Sequence, residues 1–255
     1  MLNALGHRFR GLNLQARTAF QVIANEVCVF IGNHESDLFP AAVEMLRVAM
    51  GTNCDQATAL AAIVEIVQKL DVDIKDIHVK EQPVTDSLAP RSMVVRRDRS
   101  TQTDYNVFIK SSHENDRGEM VVFDFMTQES EGTVRLATVV AHLLRAIKLG
   151  VPMFVDELDR SLHPLLVRAV LSLFQQRSRN MNRARLVFTT HCTELLDDEI
   201  LRLSEIGIVL KNITVGTKVK RLCDLRREGT DIRNVTNFRG RYMDGFYSGV
   251  PFPSL

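Results

Sequence analysis

One stretch, VPMFVDELDRSLHPLLVRAVLSLF from Val151 to Phe174, constrains what this chain can fold into more than any other. It opens with a short apolar run that is typical of a buried strand, and the run ends at Asp156 and Glu157. Ionised carboxylates are costly to bury unless they are paired or bind a metal, so their place at a strand end predicts a cation and a reactive water just beyond it. After Pro164, apolar residues recur at the spacing of an amphipathic helix. The stretch therefore predicts a unit of strand, acidic turn and helix.

Composition and charge exclude several classes of protein. The chain has 255 residues, of which 45% are hydrophobic and 25% charged, and this is enough for the core of one large or two small globular domains. Its 32 basic and 31 acidic residues give no overall attraction to nucleic acid or to an anionic membrane, although a local basic patch stays open. No apolar run reaches the roughly 18 residues that a membrane-spanning helix needs. We therefore expect a globular protein that does not act at a membrane.

The cysteines indicate a reducing compartment. None of the four is paired at CxxC spacing, and they lie far apart in the sequence at Cys28, Cys54, Cys192 and Cys223. This pattern argues against a zinc site and is typical of reduced thiols, so we predict a cytoplasmic protein.

The residues before the central stretch predict helices and then strands. Phe39–Met50 has helical spacing, and Asp55 could cap the next helix, so residues 1 to about 72 are expected to be mostly helical. Val72–Glu81 alternates apolar and polar residues, as a half-buried strand does. Residues 83–103 are expected to form a loop that contains one short strand at Met93–Val95. Tyr105–Lys110 and Glu119–Phe125 predict two strands on either side of the turn SSHENDRG.

The segment from Gln128 to Gly150 predicts a helix that begins with a serine and a glycine. Ser130 is a candidate N-cap, and the following residues are apolar enough for a nearly buried helix. Free N–H groups and the helix dipole favour an anion at such a terminus, and Gly132 would allow close approach. The same two residue types are also common in ordinary helix caps.

A second buried strand is predicted at Arg185–Thr190 and is followed by His191. Two apolar strands that each deliver polar residues at the carboxyl end define the place where open α/β sheets bind ligands. Beyond them, Ser204–Lys211 and Thr214–Arg221 predict a hairpin, followed by a basic tail with little periodicity.

Three motifs together resemble a known superfamily. MFVDELDRSLHP resembles the Walker B strand and D-loop of an ATPase of the ATP-binding-cassette type, ESEGT its signature motif, and LVFTTH its switch-histidine strand. The combination of ESEGT, DELDRSLHP and TTHCTELLD is similar more narrowly to AAA-family ATPases of the bacterial AAA15 or OLD-like type, many of which belong to anti-phage operons. The close resemblance covers residues 119 to 211.

The resemblance implies an ATP site with Mg²⁺. Asp156 would bind the metal through water, Glu157 would polarise the attacking water, and His191 would contact the γ-phosphate. In this superfamily two nucleotide domains face each other, so Ser130 and Gly132 would bind phosphate across a homodimer or heterodimer.

The D-loop is expected to lie between the two sites of such a dimer and to include Asp159 and Ser161. The resemblance also suggests an effector such as a nuclease. Other interpretations of single residues stay open, with Asp159 as a helix cap, His163 as a packed ring and Arg160 as a surface charge.

The glycine-rich loop that ends in lysine and serine or threonine is missing from the sequence. The nearest candidates surround Gly32 and Gly51, and neither has the second glycine or the lysine. We therefore expect the chain to be the C-terminal part of a partial P-loop ATPase, truncated or split. Little ATP turnover is expected from it alone.

The expected fold is α/β, a partial P-loop NTPase sheet of the ABC or RecA type with flanking helices. The predicted parts are a helical segment over residues 1–75, an ATPase core over 76–225 and a tail over 226–255. Two functions stay open, an ATPase completed by a loop in trans or in a longer chain, and a degenerate interaction domain that does not hydrolyse ATP. A metal hydrolase built from Asp156, Glu157, His163 and His191 has suitable residue types but lacks metal-ligand spacing.

Overall fold

The computed structural model describes residues 28–30, 39–51, 53–70, 72–83, 94–97, 104–212, 216–224 and 237–247. The chain divides into two compact units, Met1–Thr190 and His191–Leu255. The first unit holds most of the described elements. The division of the chain at residues 75 and 225 stays a prediction.

The first unit has four described α-helices, and three of them pack against the fourth, which is almost wholly buried. They are α1 (Phe39–Met50), α2 (Gln56–Lys69), α3 (Glu131–Leu149) and α4 (Pro164–Gln175). Helix α3 is the central one, with every residue from Val134 to Leu143 buried, and it contacts the other three. Its ends follow the predicted chemistry, since Ser130 caps the start and Gly150 ends the helix in the left-handed conformation at φ 69°. No helix in the described ranges combines the length and the apolar character needed to cross a membrane.

A three-stranded parallel sheet lies beside α3. Its order is β1 (Cys28–Phe30), then β6 (Met153–Val155), then β7 (Leu186–Phe188), so β6 is the central strand. Pairing runs from Met153↔Leu186 to Val155↔Phe188, and the two strands end level with each other. Met153 and Val155 are buried, and the residues that follow both strands meet at one edge.

A second, antiparallel sheet is formed by β2 (Asp76–Pro83), β3 (Val94–Arg97), β4 (Asp104–Glu114) and β5 (Met120–Asp124). Strand β4 pairs with the other three. The sheet reaches α2 through β2, and the Phe39 and Phe125 rings, 4.6 Å apart, join α1 to the residue after β5. A mixed α/β fold is therefore confirmed, with an antiparallel sheet added to the parallel one.

In its described residues, the second unit has a 3-10 helix at Thr193–Leu195, a hairpin and a short α-helix. Strands β8 (Gly207–Asn212) and β9 (Gly216–Arg221) pair antiparallel, as predicted, and α5 (Phe238–Met243) follows. A small core joins the two: Ile206, Ile208, Leu222, Phe238 and Tyr247. Helix α5 lies in the segment that was predicted as a tail with little periodicity, and its six residues are too few for a helical pattern to show in the sequence.

Several boundaries also differ from the prediction. The first predicted strand of the hairpin around SSHENDRG extends to Glu114, because Ser111 and Ser112 are buried and pair with β5 although their sequence is polar. The segment expected to be mostly helical contains β1, a run too short to classify by periodicity. Strand β3 lies at Val94–Arg97, one to two residues beyond its predicted place. Predictions for residues 1–27, 84–93 and 98–103 lie outside the described residues.

Candidate functional site

Thr189 connects the two strand ends at the edge of the parallel sheet. Its hydroxyl donates to the Asp156 carboxylate and accepts from the Glu157 backbone N–H at 2.8 Å. Its carbonyl oxygen accepts from the Leu158 N–H at 3.0 Å, and its own N–H donates to the Val155 carbonyl at 3.0 Å. One threonine therefore fixes the direction in which the chain leaves β6 and orients the first carboxylate.

The turn after β6, residues 156–162, is called the acidic turn below and has an unusual backbone. Glu157 and Ser161 adopt positive φ values of 49° and 55°, although neither is glycine. Such conformations cost of order 1–3 kcal/mol and cluster at functional sites. Leu158 and Leu162 are buried and anchor this acidic turn, while Asp156 stays exposed. The fold thus holds a strained turn with its first carboxylate directed to solvent.

The start of α3 packs directly on the acidic turn. A Cβ at Gly132 would lie 2.6 Å from the Ser161 carbonyl oxygen, so only glycine permits this approach. Next to it, Glu131 and Arg160 approach to 3.8 Å. The Ser130 hydroxyl accepts from the Thr133 N–H at 3.1 Å and is exposed at the helix start. The serine and the acidic turn therefore belong to one packed surface.

A hydrogen-bonded cluster fixes the chain just before Ser130. The Glu129 carboxylate accepts from the Ser111 hydroxyl and lies 2.6 Å from His113 Nε2. Both partners come from β4, so the antiparallel sheet fixes the point at which α3 begins. Glu129 and His113 also line a cavity of about 330 Å³ beside β5.

Arg135 lies beneath the acidic turn with no exposed surface. Its guanidinium donates to the Glu157 carbonyl oxygen and, at 3.4 Å, to that of Asp156. Burial, and after it the charge of Arg160, lower the pKa of Arg135 to about 10, although the negative charges of Asp159, Glu157 and Asp156 act in the opposite direction. The guanidinium is therefore still charged at neutral pH.

A family model described as "AAA domain, putative AbiEii toxin, Type IV TA system" matches residues 53–197, more than half of the 255 residues. The chain belongs to this family. The match contains α2, the antiparallel sheet, strands β6 and β7 of the parallel sheet, the acidic turn and His191, whereas α1 and β1 precede it. It supports an ATPase-like, nucleotide-binding function within the P-loop NTPase superfamily, whose AAA members generally bind ATP with Mg²⁺. No curated protein is similar enough to the chain to count as a match.

The residues predicted for this AAA domain fall into two groups. Six of them lie within the first unit, on the acidic turn or at the start of α3: Ser130, Gly132, Asp156, Glu157, Asp159 and Ser161. His191 is exposed and is the first residue of the second unit, directly after Thr190. Their roles in binding or catalysis stay predictions.

His163 has a structural place. It caps α4, and its Nδ1 accepts from the Leu165 N–H at 3.3 Å. His163, and not Asp159, is therefore the residue that caps helix α4. Within the described ranges, no group of three or more His, Cys, Asp or Glu side chains could hold a metal ion.

Asp156 nevertheless fits a magnesium ion bound together with a nucleotide. Mg²⁺ usually takes one or two carboxylates and completes its coordination with waters and phosphate oxygens. Asp156 is exposed at a strand end and is oriented by Thr189, so a single carboxylate is already positioned for that purpose. The donor set suits an ion that arrives with its phosphates.

Sequence reasoning missed two residues of this site, Arg135 and Thr189. The run from Val134 to Leu143 is mostly apolar, and Arg135 is its one arginine or lysine. A buried charge of this kind requires a partner. That requirement could have identified it. Thr189 precedes the residues that the strand-end argument singled out, and the sequence does not show which of the two threonines faces Asp156.

Proposed function

We propose that this chain provides the catalytic half of an ATPase of the AAA15 or OLD-like type, as its Walker B, D-loop, signature and switch-histidine elements. The observation that carries the proposal is the junction of Thr189 with Asp156 and Glu157 at the end of the parallel sheet, with the start of α3 packed beside it. A cap serine and two carboxylates on one surface suit phosphoryl transfer, which depends on positioning and charge.

Each residue has a proposed task. When bound, Mg²⁺ supplies neutralisation of the phosphate charge, and Asp156 would hold the ion. Glu157 would orient the attacking water and accept its proton, and His191 would contact the γ-phosphate. Ser130 and the helix N-terminus would bind phosphate of a nucleotide held by a facing chain. Asp159 and Ser161 would lie between the two sites.

In this proposal a segment outside these 255 residues contributes the glycine-rich phosphate loop. The parallel sheet offers a place for further structure. Phe154 and Val187 pair in register on β6 and β7, and their side chains are 41% and 50% exposed. Parallel sheets are normally covered on both faces, so an additional element over this pair would complete the fold.

The proposed biological setting follows from the narrower resemblance. An ATPase of this type would work in bacterial anti-phage defence, with hydrolysis opening and closing a dimer that controls an effector such as a nuclease. The balanced charge of the chain gives no separate reason to propose nucleic acid as a direct partner.

A second candidate is a degenerate interaction domain that regulates a partner without hydrolysing ATP. The absence of a GxxxxGK[ST] loop from the sequence favours it, because that loop provides most contacts to the phosphates. The retained carboxylates favour the ATPase.

Nucleotide binding and turnover test the two candidates. The chain would be assayed alone and together with a segment that carries a glycine-rich lysine loop and is encoded beside it. We expect weak binding and little turnover alone, and turnover with the segment. Glu157→Gln is the matched control, because it replaces the carboxylate by an amide and keeps the size of the side chain.

Glu157→Gln should lower kcat in the complemented assay by about 100-fold or more, since a general base contributes 10²–10⁴. If the complemented wild type is no faster than Glu157→Gln, the ATPase proposal is wrong. Binding of nucleotide with equal, negligible turnover in both would instead support the interaction domain.

A further inference from the structure

Among the described residues, Arg135 is the one arginine or lysine that is fully buried, and it donates hydrogen bonds to the acidic turn. It contacts the backbone carbonyl oxygens of Asp156 and Glu157 and leaves their carboxylates to face elsewhere. Both hydrogen bonds come from one terminal nitrogen, Nη2, whose two N–H groups can reach two carbonyl oxygens at once. The charged donor also makes these hydrogen bonds stronger than neutral ones. The contact therefore fixes the backbone from which both carboxylates project.

Two neighbours of Arg135 on the same helix face contact the rest of the turn. Glu131 and Gly132 lie four and three residues before it, the spacing that puts side chains on one face. Glu131 approaches Arg160, and Gly132 admits the Ser161 carbonyl oxygen. The first two turns of α3 thus contact the acidic turn from its first residue to Ser161.

The backbone of Glu157 needs such support. Its φ of 49° belongs to a region that residues with a side chain rarely occupy. Thr189 holds the N–H side of this residue and Arg135 holds its carbonyl side. Loss of either contact would let the peptide relax to a more common conformation and turn the carboxylate away.

We propose that Arg135 is a positioning residue that sets the Asp156–Glu157 turn and couples it to the helix that begins at Ser130. A shift of α3 at its serine end moves the carboxylates of the same chain, so binding at one nucleotide site adjusts the other. This role rests on the proposed ATPase function, whereas the placement of the turn by Arg135 does not.

Hydrogen exchange of the folded full chain tests the placement without nucleotide. The Glu157 and Leu158 amides donate to Thr189 and should exchange slowly. In Arg135→Met we expect both amides to exchange about tenfold faster, with Arg135→Lys between the two. Arg145→Met is the control, because it makes the same change on α3 about 15 Å further along the helix axis and should leave both amides as in the wild type.

Wild-type exchange of these amides in Arg135→Met overturns the proposal. If Arg135→Met does not fold, Arg135→Lys decides in its place, and wild-type exchange there overturns the proposal equally.

Turnover supplies a second measurement, under conditions in which the wild type hydrolyses ATP. We expect kcat to fall by about 10- to 100-fold in Arg135→Met with KM within about twofold, because misplaced catalytic groups slow the chemical step. Arg135→Lys should recover part of the loss, and Arg145→Met should match the wild type. A loss confined to KM, or an equal loss in Arg145→Met, contradicts the coupling. If the wild type and Glu157→Gln are equally inactive, the proposed function fails, and hydrogen exchange still decides the placement.

Discussion

Gly132 has a packing role that the sequence alone did not reveal. The sequence predicted that this glycine would let an anion approach the helix start. In the structure the space of the missing Cβ is occupied by the Ser161 carbonyl oxygen, which would lie 2.6 Å from it. Close packing and the approach of an anion would each require a residue without a side chain here, so the sequence could not distinguish the two roles. The glycine brings Ser130 and the acidic turn onto one surface.

Gly132→Ala should destabilise the protein, although the same change normally stabilises a helix by about 0.5–1 kcal/mol. The added methyl group meets backbone at Ser161, which cannot rotate aside, and overpacking of this kind costs about 1–3 kcal/mol. We expect the free energy of unfolding, measured by urea denaturation, to fall by about 1 kcal/mol or more. A rise would mean that α3 and Ser161 are not in contact.

At the scale of one element, α3 buries an ionisable ring. His142 is 2% exposed, and burial, with a smaller effect of the Arg145 charge, lowers its pKa from 6.5 to about 4. As the pH falls, His142 therefore becomes protonated near pH 6.5 in the unfolded chain but only near pH 4 in the folded chain. The stability associated with neutral His142 is complete above pH 6.5 and is lost as the pH falls towards 4, by about 3 kcal/mol in total.

His142→Phe should remove this part of the pH dependence, because phenylalanine has a ring of similar size and no proton to exchange. Unfolding in urea at pH 7.0, 5.5 and 4.5 would measure it. We expect the wild type to lose about 2–3 kcal/mol more than the variant between the first and last of these pH values. Parallel losses in the two proteins would show that His142 is accessible to protons in the folded state.

The elements that the sequence predicted are those in which a long pattern repeats. Helices α1, α2, α3 and α4 show apolar spacing over three turns or more, and the caps Asp55 and Ser130 mark two of their starts. Strand β4 was predicted too short because Ser111 is buried by a hydrogen bond to Glu129, and a tertiary contact of this kind leaves no periodicity. At the candidate site, the sequence analysis identified the two carboxylates but not the contacts of Arg135 and Thr189 that orient them. Those contacts join residues 22 and 33 positions apart in sequence.

At the scale of the whole molecule, two chains would face each other in the proposed enzyme. Each nucleotide site would combine the carboxylates of one chain with Ser130 of the other. By the proposed role of Arg135, both parts would move together within a chain, so the two sites would respond to each other. An isolated chain could then hold a correctly formed acidic turn and still lack the group that its nucleotide requires.

Mixing two inactive variants distinguishes a shared site from one that lies within a single chain. Ser130→Asp keeps the helix cap, since aspartate caps as well as serine, but its charge repels phosphate. Glu157→Gln lacks the proposed base. In a facing dimer that contains one chain of each variant, one site combines the intact Glu157 of the Ser130→Asp chain with the intact Ser130 of the Glu157→Gln chain. Under conditions in which the wild type hydrolyses ATP, random exchange should restore about a quarter of its rate, because half of the dimers are mixed and each has one intact site. If both residues serve a nucleotide held by their own chain, mixing restores nothing beyond the sum of the two residual rates.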